Sequence, residues 1–201
     1  MIVYTPIDLP KIEPDNWDVF WDIWNTHSDY AIKTKSNTHL SATPLGSTDI
    51  WLGLDIFKKN ILSTSWQVPF FDIKYLLPNM YSSLMTILPN AGVIRLIQSQ
   101  KDVGAHTDDN RNVWHLRSYL YYTSSKSQWY FTKPNDSQGD RTYITLPTTT
   151  NWFAYNDKHC WHGTDFDPNH KKILLQVFFN PLMPNLLEQS MDKYKDYVIE
   201  L

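Results

Sequence analysis

His106, Thr107 and Asp108 stand together in the chain, His162 follows much later, and Lys172 comes ten residues after it. Two imidazoles and one carboxylate can hold one face of a divalent metal ion and leave the opposite positions open to reactants, the ligand set of open non-haem iron sites. His-x-Asp alone is common, and its ordinary reading is a loop aspartate that caps a turn. The context adds to it: His162 precedes Gly163, and Lys172 opens the apolar run Ile173 to Phe179, where a cation needs an anionic partner. His159 competes with His162 for the distal position, and Lys171 with Lys172 for the cation.

Elements must bring these positions together. From Pro14 to His27, Trp17, Phe20, Trp21 and Trp24 recur at steps of three and four, which predicts an amphipathic helix with Asp15 or Asn16 as its N-cap. Residues 28 to 70 are polar and aperiodic, with Pro44, Gly46 and Gly53 as breakers, and read as loops and short strands. Asp72 to Leu88 has near-helical spacing, with Pro78 either in a first turn or breaking the segment. After Pro89 the pattern becomes strand-like: Gly92 to Gln98, Trp114 to Tyr122, Gln128 to Phe131, Thr142 to Leu146, Trp152 to Tyr155 and Lys172 to Phe179. On this reading His106 and Asp108 lie in a loop after one strand, and His162 in a loop after another. Pro184 to Leu201 reads as a terminal helix. The fold class expected is mainly β with flanking helices, a sandwich or jelly roll with helices from both ends packed on one sheet.

Composition narrows the function classes. With 201 residues and 42% hydrophobic content the chain can bury one core, so a single domain over 1–201 is expected, its residues 1–90 helical or irregular and packed on a β core at 91–181. A formal charge of −3 with scattered Lys and Arg gives no footprint for nucleic acid or an anionic membrane. Cys160 is the only cysteine, so no intramolecular disulfide can form. No apolar segment approaches the length of a membrane span, and a cytoplasmic protein is the expectation.

Four runs carry a family resemblance: Ala105-His106-Thr107-Asp108, Leu116-Arg117-Ser118-Tyr119-Leu120, Phe153-Ala154-Tyr155-Asn156-Asp157 leading to His162, and Lys172 through Pro181. From about Ala91 to Pro181 the chain resembles the Fe(II)/2-oxoglutarate-dependent oxygenases, and within them the aspartyl/asparaginyl β-hydroxylase-like branch. The resemblance implies a double-stranded β-helix (jelly-roll, cupin-like) and Fe(II) held by His106, Asp108 and His162. It also implies 2-oxoglutarate as cosubstrate, its 5-carboxylate on Lys172 with help from Tyr119, and Arg117 or Arg95 as a further cosubstrate or substrate contact. O2 is the co-reactant, succinate and CO2 the co-products, and an amino acid or peptidyl side chain, one that can carry a carboxylate, the substrate. The chain departs from the branch at Tyr119, where the branch has His, and at Lys172, where Arg is usual. It also offers a metal carboxylate, Asp108 or its neighbour Asp109, that the branch can lack. A lysine supplies a point charge and not a bidentate fork.

The other histidines, His27, His39, His115 and His170, carry no ligand pattern. Trp17, Trp21 and Trp24 read as core; Trp51, Trp66 and Trp129 are open between pocket wall and packing. Outside the oxygenase class, the same roll fits a cupin-like metal- or small-molecule-binding protein without turnover, or a Zn hydrolase in which the triad activates water.

Overall fold

The computed structural model describes residues 1–28, 50–53, 77–88, 93–98, 102–107, 114–122, 129–136, 138–165, 167, 169, 172–178 and 184–201, with the backbone alone at 23–28, 50–53, 93–98, 178 and 184. The strands are β1 (Ile2–Ile7), β2 (Ile50–Gly53), β3 (Val93–Gln98), β4 (Val103–His106), β5 (His115–Tyr122), β6 (Trp129–Thr132), β7 (Thr142–Tyr143), β8 (Trp152–Tyr155), β9 (Trp161–Thr164), β10 (Lys172–Phe178) and β11 (Ile199–Glu200). The helices are α1 (Trp17–Ser28), α2 (Pro78–Ile87) and α3 (Pro184–Lys193). Most of residues 28 to 70 and Asp72 to Leu76, with their expected loops and helix start, lie outside the described residues.

The strands form two antiparallel sheets, ordered β11-β1-β8-β5-β10-β3-β2 and β4-β9-β6-β7. The sheets face one another. Tyr4, Tyr119, Phe153, Tyr155 and Leu174 of the large sheet pack in one cluster with Trp129 and Phe131 of the small one. Because side chains alternate along a strand, Ile173, Leu175 and Val177 of β10 turn to the opposite face, where they meet the helices.

Helix α1 begins where Asn16 caps it, its side-chain oxygen accepting from the Asp18 and Val19 amides at 2.7 and 3.3 Å. Trp17 and Trp21 then pack on Tyr121 of β5 at ring distances of 5.1 and 4.9 Å. Asp15, the other cap candidate, serves a different helix. Its carboxylate accepts from the Asn79 and Met80 amides of α2 at 3.0 and 2.9 Å, while Pro78 occupies the first turn, where it needs no donor. Leu77, Met80, Leu84 and Leu88 carry α2 into the same core, and Leu186 and Leu187 carry α3. Helices α1, α2 and α3 thus share one apolar cluster with one face of the large sheet.

Several expectations need correction. The first residues are a strand, not helix or irregular chain: β1 is buried and pairs with both β8 and β11. A run buried on both faces shows no alternation to read. Pro6 falls past the end of β11, where β1 has a single neighbour and a proline is tolerated. The terminal helix stops at Lys193, and a 3-10 turn (Lys195–Tyr197) and β11 follow. Thr142 to Leu146 shrinks to the two residues of β7. His106 ends a strand and His162 lies inside one, so neither is in a loop.

Helix α3 is tied to the end of β1 through Asp8, whose amide donates to Ser190 Oγ at 3.0 Å and whose carboxylate takes Lys193 Nζ at 2.7 Å and the Tyr194 hydroxyl at 3.1 Å. The Lys193 hydrogen bond holds the Asp8 carboxyl below its ordinary value. The small stabilisation from this exposed pair is therefore present at neutral pH and lost as the carboxylate protonates in acid.

Replacing Asp15 with Ala removes the borrowed cap from α2 and is expected to lower unfolding stability by about 1 kcal/mol, read as a shift of the urea midpoint at unchanged slope.

Candidate metal centre

Strands β4 and β9 pair antiparallel, and His106 and His162 are direct partners across them. Their ring centroids lie 4.4 Å apart with planes at 52°. The register steps from Val103–Thr164 to His106–His162, three residues on β4 against two on β9. That extra residue is a β-bulge, and it re-aims His106 so that both imidazoles share one face.

Gly163 lets the strands come this close. A Cβ there would meet the Tyr130 ring and lie 2.8 Å from the Val103 carbonyl on β4. His106 Nδ1 lies 2.7 Å from the Gly104 carbonyl, an oxygen that can only accept, so Nδ1 carries the proton and Nε2 keeps the lone pair that a metal needs. His162 is 1% exposed, its ring lying parallel to Trp129 at 5.1 Å and 5°, with Tyr155 at 4.8 Å on another side. The site is walled by aromatic rings.

Asp108 and Asp109 lie outside the described residues. Among the described residues no group of three His, Cys, Asp or Glu is near enough to hold a metal ion. Thr107, between His106 and Asp108, donates through its hydroxyl to the Asp157 carbonyl at 3.5 Å, which ties the chain after β4 to the turn before β9. His159 sits in that turn, half-buried, and it is His162 that the strand pairing sets opposite His106.

The cationic candidates come from the large sheet. Arg117 is fully buried on β5, with strand partners Phe153 and Gln176. Its Nη2 donates to the Tyr155 hydroxyl at 2.7 Å, and the Gln176 amide, oxygen turned toward a group that only donates, accepts from Nη1 at 2.9 Å. Lys172 is buried too, and strand alternation puts it on the face of Leu174 and Gln176, toward the other sheet. Tyr119 pairs with Leu174, two residues from Lys172. Arg95 pairs by backbone with Gln176 and Gly53. Its side chain, like those of Trp51 and Trp66, is outside the description, as is Lys171.

His115 stacks on Tyr155 at 5.1 Å, with Nε2 3.4 Å from the buried Asp157 carboxylate. Burial, with Asp157 nearby, pushes the Cys160 thiol up to about 12. It is therefore protonated at neutral pH and a poor nucleophile. Sequence reasoning gave no role to Gln176, and named Tyr155 and Asp157 only as members of the run Phe153 to Asp157. Gln176 carried a signal, as the lone amide in the run from Ile173 to Phe179.

No family model and no curated protein matches the chain. Among solved structures it is similar in outline to a prolyl-4-hydroxylase from Pseudomonas putida (TM-score 0.42, 9% identity, 87% of this chain and 90% of that one). A bsmA homolog from Methylobium petroleophilum PM1 gives 0.36 and 13%, with 84% of each chain covered. IDO from Bacillus thuringiensis gives 0.33 and 13%, with 60% of this chain and 66% of that one covered. Likenesses this distant leave the function to be read from the chain's own residues.

Two outcomes follow. Gly163→Ala should overpack the β4–β9 contact, lowering stability by about 1–3 kcal/mol in denaturant titration and weakening divalent-metal binding by calorimetry. Cys160 should resist alkylation in the folded protein at neutral pH and react fully once the chain is unfolded in urea, as read by intact mass.

Proposed function

We propose that the chain is an Fe(II)- and 2-oxoglutarate-dependent oxygenase that hydroxylates an amino acid or a peptidyl side chain, with succinate and CO2 as co-products. The observation that carries this reading is the cross-strand pair His106–His162, with the His106 tautomer fixed for coordination through Nε2. The donor set suits the metal: two neutral imidazoles share one face, and Asp108, two residues after His106, is the carboxylate that completes a triad.

The strand order supports a double-stranded β-helix. From β3 to β10 the chain alternates between sheets except at the β6–β7 hairpin, giving β8-β5-β10-β3 in one and β4-β9-β6-β7 in the other. Within the superfamily, the run Leu116 to Leu120 supports the aspartyl/asparaginyl β-hydroxylase-like branch.

Iron with 2-oxoglutarate supplies oxidation of an unactivated C–H bond by O2, coupled to loss of CO2 from the cosubstrate. The chain's own work is binding, orientation and exclusion of water. His106, His162 and Asp108 bind the metal, and because the imidazoles must be neutral to do so, metal affinity falls in acid. Lys172 supplies a charge for the 5-carboxylate, and Tyr119 a hydroxyl. Arg117, held by Tyr155 and Gln176, presents a pre-oriented fork for a second carboxylate, that of cosubstrate or substrate; Arg95 is its alternative. Trp129 and Tyr155 close His162 off from solvent. The partners are O2 and a small-molecule or peptide substrate.

Anaerobic addition of Fe(II) and 2-oxoglutarate should give a weak visible charge-transfer band, absent in His162→Ala, and succinate should form under air in a screen of amino acids and short peptides. Lys172→Ala should weaken oxoglutarate binding by roughly 2 kcal/mol or more, ~30-fold in Kd. An unchanged Kd would move the anchor to Lys171 or Arg95. A protein with no band and no succinate is not an oxygenase.

A further inference from the structure

A continuous line of aromatic rings runs from the metal-side histidine to the protein surface. Trp129 lies parallel to His162 at 5.1 Å. Phe153 is 5.9 Å from Trp129, Tyr119 is 5.4 Å from Phe153, and Tyr122 is 5.6 Å from Tyr119. The line begins in the core, with Trp129 2% and Tyr119 4% exposed, and ends in water, with Tyr122 48% exposed.

A second β-bulge makes the last step possible. On β5 the register passes from Tyr121 to Tyr119 while β10 advances by one residue, from Ile173 to Leu174. The additional residue, Leu120, sends itself and Tyr121 into the helix-covered core. Tyr122 is thereby returned to the face of Tyr119. The first bulge aims a histidine at the site, and the second carries its aromatic wall outward.

We propose that Trp129, Tyr119 and Tyr122 form a redox relay that draws an oxidising equivalent away from the iron held by His106 and His162 when no substrate is there to consume it. This rests on the oxygenase reading above. Indole and phenol are the protein side chains that give up one electron most readily, and Phe153 serves as packing across which the electron passes.

The balance is as follows. The oxidant is the one generated at the iron from O2 with 2-oxoglutarate as co-reductant. One electron would leave the Trp129 indole and, with one proton from water, lower the oxidant at the iron by one unit; a second electron and proton from the solution reductant would discharge the unit that remains, so that the oxygen atom leaves as water and Fe(II) is restored. The indole cation radical is refilled through Tyr119 from Tyr122. The Tyr122 phenol loses its O–H proton to bulk water and becomes a neutral phenoxyl radical. A thiol or enediol reductant in solution then returns one electron and one proton. Buried Tyr119 has less access to water than Tyr122, so the radical comes to rest at the exposed end.

The test needs no substrate. Fe(II)-loaded protein with 2-oxoglutarate is mixed with oxygenated buffer, frozen at intervals and examined by electron paramagnetic resonance, with succinate assayed in parallel and the rings mapped by peptide mass. The wild-type protein should show a phenoxyl signal. Tyr122→Phe should bind Fe(II) and 2-oxoglutarate with the wild-type charge-transfer band and lose most of that signal. It should also gain an oxygen atom, inserted from O2 into a ring C–H bond of Trp129 or Tyr155, severalfold more often than wild type. Succinate without a phenoxyl signal in the wild type overturns the relay while leaving the oxygenase intact. A signal and ring oxidation unchanged in Tyr122→Phe also overturn it. Absence of both the band and succinate overturns the relay together with the oxygenase reading.

Discussion

Two strands of the small sheet must lie close enough, and in the right phase, to put two imidazoles on one face. Strand pairing alone does not ensure this, because a ladder gives each residue a fixed side. Here β4 gains a residue opposite β9, and the bulge turns His106 to the side of His162. Gly163 leaves room for the Tyr130 ring and the Val103 carbonyl, so the contact does not have to open. The hydrogen bond from His106 Nδ1 to the Gly104 carbonyl then fixes which nitrogen keeps its lone pair. Register, a missing side chain and one carbonyl thus set the arrangement of the two imidazoles.

The large sheet performs a different task with the same alternation. On one face Ile173, Leu175 and Val177 join residues of all three helices, an apolar layer that anchors the sheet. On the other face Lys172 and Arg117 are buried, Arg117 5.3 Å from the centre of the Tyr155 ring, which is costly for a cation unless oxygen atoms meet it. Tyr155 and Gln176 supply such atoms to Arg117 from β8 and β10. Tyr155 also touches His162, so the ring that holds the guanidinium also walls the histidine. Substitutions at Tyr155 should therefore disturb both charge placement and the metal-side wall together.

How much of this was legible depended on how far each element kept one period. Helix α1 and strands β5, β8 and β10 have clear patterns and were read to within a residue or two, except that α1 starts three residues late, after its cap. Strand β1 has no alternation because apolar neighbours surround it, and β4 breaks alternation because of its bulge, so both were missed. His106 and His162 were picked out by residue type and spacing, but their juxtaposition across two strands is a tertiary fact that spacing cannot state. Arg117 was visible as a cation on an expected strand. Its partners Tyr155 and Gln176 were not, since they come from strands that are neighbours only after folding. The second cap partner of Asp15 has the same origin, lying more than sixty residues away in the chain.

The central claim is that His106 and His162 jointly hold one metal ion. Iron K-edge X-ray absorption of the Fe(II)-loaded protein reports the number of imidazole ligands directly. The account predicts multiple-scattering features of two imidazoles, reduced to one in either His106→Ala or His162→Ala. A spectrum fitted by oxygen ligands alone, or one unchanged by His162→Ala, would contradict it.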